Sequence, residues 1–386
     1  MPAVMSVASP AGSPFTASPP FPADLAARHS AIALALALPS DTCLYLLLPM
    51  FAPQFGVSLF EVGVLLAANR LIRIMGYGVV AKFYSRRGDR PTDTLAVIAA
   101  AIASLGYATL SGVWLLLPFR LLWGLSFAAL NLSTLAMATA DAQGASRRNG
   151  RSRAIIAAGP TVALPLAALL AEQLELGPRA IFFVLTAVSL LGLLATRHLP
   201  AAPHPVAASR RLKLPGSLDV WSFLEGFTLD GLFVVGLGYL GKDLLPGGAV
   251  MAAALLMALR YFCEIVLAPL GGQIAERWGA ERLLVTLSLA TTIVLVGFGA
   301  GWIFSAGAAI VVLRALQLPL IAPIVAQRTP GPGRVQALAT RAVWRDIGAG
   351  TGPIAAGLLL PVLPSFWLYA VSALLLAVAA VACVRR

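Results

Sequence analysis

NRLIRIMGYGVVAKFYSRRGDR, residues 69–90, sets two arginines inside an apolar run and closes that run in a basic Gly-Asp turn. A related stretch returns as RYFCEIVLAPLGGQIAERWGAER, residues 260–282, again apolar with embedded charge and again closed around a glycine. A unit used twice predicts two copies of one design. Other landmarks recur at a shared offset of about 190 residues: Asp41 with Asp230, Gly88 with Gly279, Arg120 with Arg314, and Gly159-Pro160 with Gly352-Pro353.

The composition says where such a unit lives. Of 386 residues, 59% are hydrophobic and only 11% charged, against about 25% charge in ordinary globular domains. Apolar runs of about 20 residues predict membrane-crossing helices, whereas a membrane barrel would show alternating segments of about 10. Twelve runs are found, near 31–51, 59–82, 92–112, 114–138, 154–175 and 178–197, then near 218–241, 248–274, 282–302, 304–326, 337–360 and 365–384. The fold class expected is an all-α membrane protein of twelve transmembrane helices in two pseudo-symmetric six-helix bundles. The bundles span 29–198 and 218–386, joined by a Pro-rich basic linker over 199–217 and preceded by a disordered tail over 1–28. Parallel repeats of this kind enclose a cavity between the halves.

The net charge of +12 raises the question of a nucleic-acid partner, and the placement of the charge answers it. Lys82, Arg86, Arg87 and Arg90 follow the second run; Arg147, Arg148, Arg151 and Arg153 follow the fourth; Arg197, Arg210, Arg211 and Lys213 follow the sixth. Loops after the first, third and ninth runs carry no Lys or Arg. This alternation reports orientation, with both termini cytoplasmic in a cytoplasmic membrane, and no nucleic acid. The start of the chain lacks the charged, then long apolar, pattern of a signal peptide. Cys43, Cys263 and Cys383 lie in apolar runs without disulfide or metal spacing.

The loop segment AKFYSRRGDR resembles the loop between helices 2 and 3 of the major facilitator superfamily, G-x-x-x-D-R-x-G-R-R. Arg86, Gly88 and Arg90 fit, while Ala81 replaces the first glycine and Ser85 the aspartate. The second copy, GQIAERWGAE, fits better through Gly272, Glu276, Arg277 and Gly279. In that family the loop clamps the two halves in one state, so the resemblance implies gating roles here, with a weakened clamp in the first half. RLLWGLSFAA, with Arg120, Gly124, Ala128 and Ala129, resembles the family's fourth helix, and Gly159-Pro160 resembles the core of its antiporter motif without the flanking glycines. Gly124, Gly159, Pro160, Gly352 and Pro353 are expected to pack helices.

An ionised side chain at a helix centre costs about 2.5–3.5 kcal/mol on insertion scales, so charges inside these runs should pair or line a water-filled path. At a rise of 1.5 Å per residue, Asp41 and Arg120 come within about 5 Å of one depth, and Asp230 and Arg314 come similarly close. These four are expected to carry proton coupling, each aspartate switching protonation as its arginine contact changes. Asn69, Arg70 and Arg73 share a helix face. They read either as an anion-binding patch, since guanidinium forks match carboxylate and phosphate, or as partners of acids such as Asp41. Arg260 and Glu264, four apart, are expected to satisfy each other. Arg341 is expected to snorkel to the interface. Arg345 and Asp346 point apart and need separate partners, and Glu225 belongs to the gate or the cavity. Arg345 and Trp123 complete the substrate-binding candidates.

No catalytic triad, phosphate-cradling loop or metal-ligand spacing stands out, so neither an enzyme nor a cofactor is expected. The function expected is a proton-coupled secondary transporter working by alternating access. Export of a small organic molecule by antiport comes first, because the family resemblance supplies an acid in span 1, the span 4 arginine and the Gly-Pro. Import of an organic anion is the alternative, and a non-transporting sensor with the same fold is the rival from another class. The partners expected are the lipid bilayer, a small-molecule substrate and protons, for a monomer.

Overall fold

The computed structural model describes residues 23–172, 177–202, 215–241 and 250–384, and every regular element among them is helical. The first half comprises α1 (Ala23–Met50), α2 (Leu59–Arg87), α3 (Asp89–Thr109), α4 (Val113–Ala138), α5 (Ala145–Glu172) and α6 (Pro178–Thr196). The second begins with α7, built of Ser217–Glu225, a π-helical stretch Gly226–Leu232 and Phe233–Gly241. It continues through α8 (Val250–Trp278), α9 (Ala280–Gly299), α10 (Ile303–Gln317, resumed as Ile321–Arg328), α11 (Arg334–Leu359) and α12 (Ser365–Ala382).

Eleven of these helices are long and apolar enough to cross a membrane. The twelfth, α11, has the length, 26 residues, but holds Arg341, Arg345 and Asp346, all of which line an internal cavity. Around the outside, apolar side chains stand exposed, Phe60 at 80% and Met75 at 79% among them, as expected where the solvent is lipid.

Several boundaries differ from those expected. Hydropathy marks the hydrocarbon core, whereas helical hydrogen bonding continues past it into the interface. α1 therefore starts at Ala23, inside the expected tail, and α5 starts at Ala145 rather than 154, so that Arg147, Arg148, Arg151 and Arg153 are helical instead of forming a loop. Positions 1–22 of the tail, most of the linker (203–214) and the two C-terminal arginines lie outside the described residues. The turns after α2 and α8 shrink to single glycines, Gly88 at φ 82° and Gly279 at φ 90°. Both are left-handed positions that any side chain would strain.

Within each half, glycines allow the closest helix crossings. A Cβ on Gly159 would lie 2.0 Å from the Ala35 carbonyl oxygen, which brings α5 onto α1. Its repeat counterpart Gly352 would meet the Phe227 oxygen at 2.4 Å, bringing α11 onto α7. Pro160 and Pro353 follow inside their helices, and Gly124 lets α4 approach Asn69 of α2.

The halves meet along α5 with α8 and along α2 with α11. At the end that carries the basic turns, polar contacts cross between them. The Arg147 backbone N–H donates to Glu276 at 3.1 Å, the Asn149 amide to the Pro319 oxygen at 2.8 Å, and Arg334 to the Thr139 oxygen at 2.6 Å. Glu276 thus satisfies an amide in the first turn of a helix in the other half, where the helix dipole favours negative charge. Gly150 and Gly272 seat against Ala268 and Ser146 so closely that neither has room for a side chain. This end of the interface is shut.

Candidate functional site

A cavity of about 480 Å³ lies between the halves. Seven arginines (Arg70, Arg73, Arg153, Arg260, Arg314, Arg341 and Arg345) and five carboxylates (Asp41, Glu225, Asp230, Glu264 and Asp346) line it. Tyr45, Asn69, Tyr77, Phe127, Asn131 and Tyr261 stand among them.

On the first-half wall, α1 supplies Asp41 two residues after Pro39, which interrupts the helical hydrogen-bond ladder. Asp41 forms an ion pair with Arg120 of α4 and accepts from the Asn69 amide at 3.3 Å. Arg120 also donates to the Leu65 carbonyl at 3.2 Å and lies over the Tyr45 ring at 5.1 Å. Fixed by these contacts and 1% exposed, Arg120 serves Asp41 from behind the wall.

On the second-half wall, the π-helical stretch of α7 holds Asp230. Such stretches are frequent where a helix positions a functional group. Three arginines converge on this carboxylate: Arg314 at 2.6 Å, Arg345 at 2.6 Å and Arg260 at 3.1 Å. Arg314 also binds Glu264 at 2.9 Å, and Arg345 binds Glu225 at 2.9 Å. The expected Arg260–Glu264 ion pair is present but long, at 4.0 Å, and each group has a closer partner, Arg260 in Asp230 and Glu264 in Arg314. Glu225 lines the cavity, as does Arg341, which stands 3.1 Å from Asp219 in the first turn of α7.

One ion pair among the described residues joins the two walls, Arg73 of α2 to Asp346 of α11 at 2.9 Å. Arg73 lies over the Phe127 ring at 4.8 Å. It therefore pairs with the opposite half rather than with Asp41.

Arg70 and Arg153 line the cavity with no hydrogen bond or ion pair among the described residues, and the Arg153 Nε is buried without a partner. Its position after the fourth apolar run groups Arg153 with the basic loop residues. Helical phase would have found it: Arg147 and Arg151, four apart, share an exposed face, while Arg153, two further on, turns inward. Trp123 is corrected in the other direction. It is 1% exposed, donates its indole N–H to Ser40 at 2.9 Å, and does not line the cavity.

Of the two gating turns, the second makes the cross-half contact through Glu276, with Gly272 seated on Ser146, while Arg277 and the turn glycine Gly279 remain exposed. The first packs on the segment that follows α6. The Arg90 backbone N–H donates to the Pro200 oxygen at 3.0 Å, Gly88 packs on Ala202, and the Arg86 side chain is exposed.

Two bundles around a cavity, with repeated acid–arginine pairs, match what known proteins show. Residues 30–240, more than half of the chain, match the family model described as Major Facilitator Superfamily. The chain belongs to the major facilitator superfamily. Among solved structures, the crystal structure of the human organic anion transporter MFSD10 (TETRAN) superposes with a TM-score of 0.78. That likeness covers 94% of this chain and 100% of that one at 15% identity, which establishes a shared fold. No curated protein matches this sequence. As a superfamily member the chain is a multi-pass membrane transporter rather than an enzyme.

Proposed function

We propose that this superfamily member carries a small organic anion, together with protons, by alternating access. The observation that carries this reading is the charge of the cavity: seven arginines face five carboxylates, and Arg70 and Arg153 have no acid of their own. Unpaired charge is costly in a protein interior, and an anionic substrate would satisfy both guanidinium groups with charge-assisted, bidentate hydrogen bonds. The structural neighbour is titled an organic anion transporter, which agrees with the reading without carrying it. Export by antiport, the first expectation from sequence, rested on Asp41, Arg120 and Gly159-Pro160. Here these form a buried ion pair and a close helix crossing, which importer and exporter need alike.

The test is binding to purified protein, read by thermal stabilisation and calorimetry, across carboxylates, organophosphates and size-matched neutral and cationic compounds. Anions alone should bind, and Arg70→Gln and Arg153→Gln should each weaken the best ligand by about 10- to 100-fold, the size of a lost charge-assisted hydrogen bond. Equal binding of cations, or full affinity in both variants, would overturn the proposal.

A further inference from the structure

The five cavity carboxylates are not equally held. Asp230 has both oxygens engaged by three arginines, Asp41 has Arg120 and Asn69, Glu264 has Arg314, and Glu225 has Arg345. Asp346 has a single bond, from Arg73 to Oδ1, while its Oδ2 is buried with no partner. Arg73 mirrors this, its Nε buried and unpartnered. This under-satisfied pair is also the one ion pair among the described residues that ties α2 to α11 across the cavity.

We infer that Asp346 is the proton-accepting carboxylate of the transport cycle, and that its protonation hands Arg73 from the opposite half to the substrate anion. The inference rests on the anion reading above. Asp346 faces Arg70, Arg73 and Tyr77 from α2 and Asp230 from α7, with Arg345 beside it; Glu225 of α7 holds Arg345, and Arg314 of α10 holds Asp230. With Asp346 ionised, Arg73 is neutralised and a substrate carboxylate approaching it meets a like charge. When a proton binds Asp346, its charge is lost and Arg73 keeps the Phe127 ring and the more distant charge of Asp41, which Arg120 already pairs, so Arg73 joins Arg70 and Arg153 as an anion site. Proton and anion then favour each other's binding and cross in the same direction. The same protonation weakens the ion pair between α2 and α11, one of the polar contacts that join the halves.

The experiment compares wild type, Asp346→Asn and Asp346→Glu in proteoliposomes and in solution. Wild-type affinity for the anion should rise as pH falls, by up to about tenfold per pH unit for one linked proton. Asp346→Asn should bind with the affinity of the protonated wild type at every pH, keep substrate exchange, and lose accumulation driven by a pH gradient. Asp346→Glu should keep a pH slope. A second readout needs no substrate: the distance between fluorophores placed on the basic-end turns of the two halves should change with pH in wild type and not in Asp346→Asn. A wild-type pH slope retained in a folded Asp346→Asn protein overturns the inference, as does an unchanged pH response of the label distance. Wild type that binds no anion at any pH would sink the anion reading, and the label distance would still judge Asp346.

Discussion

The two halves solve the same electrostatic problem differently. Each places an acid on its first helix against an arginine on its fourth, Asp41 with Arg120 and Asp230 with Arg314. The neighbouring positions then diverge: Asn69 and Arg73 in the first half correspond to Arg260 and Glu264 in the second. Arg260 and Glu264 bring opposite charges into one cluster that closes on itself. Arg73 enters where its counterpart is acidic, forms no ion pair with an acid of its own half among the described residues, and reaches Asp346 in the other. The repeat builds a rigid polar core on one side and leaves a displaceable contact on the other. That asymmetry is where recognition and movement are expected.

The largest effect expected tests the rigid side. Arg314→Gln strands parts of two acids, and losing one partner of a buried ion pair costs about 3–5 kcal/mol. It should lower the melting temperature in detergent more than Arg120→Gln, which strands one acid; equal losses would mean that the second-half cluster adds no stability. Next, Arg73→Asp should abolish transport, and the exchanged pair Arg73→Asp with Asp346→Arg should restore part of it, read as uptake into proteoliposomes. No rescue would mean that the cross-half bond matters only through Arg73 itself. A smaller effect is expected for Asn69→Ala, which removes one neutral donor from Asp41 and should cost about 0.5–1.5 kcal/mol in unfolding experiments. Smallest of all, Gly350→Ala should leave melting and transport unchanged, since a Cβ there meets nothing within 4 Å, whereas alanine at Gly348, whose Cβ would lie 1.9 Å from the Phe223 oxygen, should destabilise.

The gating turns show the same division. Ser85 stands where the family has an aspartate, and Arg86 and Arg90 make no side-chain hydrogen bond or ion pair among the described residues. The partner of Glu276 was not foreseen, because it is a backbone N–H of Arg147, and any residue supplies a backbone amide. Arg334 likewise reaches a main-chain oxygen, that of Thr139. Contacts to the backbone leave no signature in residue type.

By itself the sequence determined the class, the twelve crossings and the twofold repeat, because hydrophobic length and recurring landmarks are one-dimensional quantities set by bilayer thickness and helical rise. It also determined that Asp41 and Arg120, and Asp230 and Arg314, lie at matching depths. Only the tertiary structure decided which guanidinium meets which carboxylate. Depth fixes one coordinate of a side chain, while pairing depends on helix rotation and on how the halves face each other. For that reason Glu264 sits 2.9 Å from Arg314 and 4.0 Å from Arg260, Trp123 turned into the core, and Arg73 crossed to Asp346.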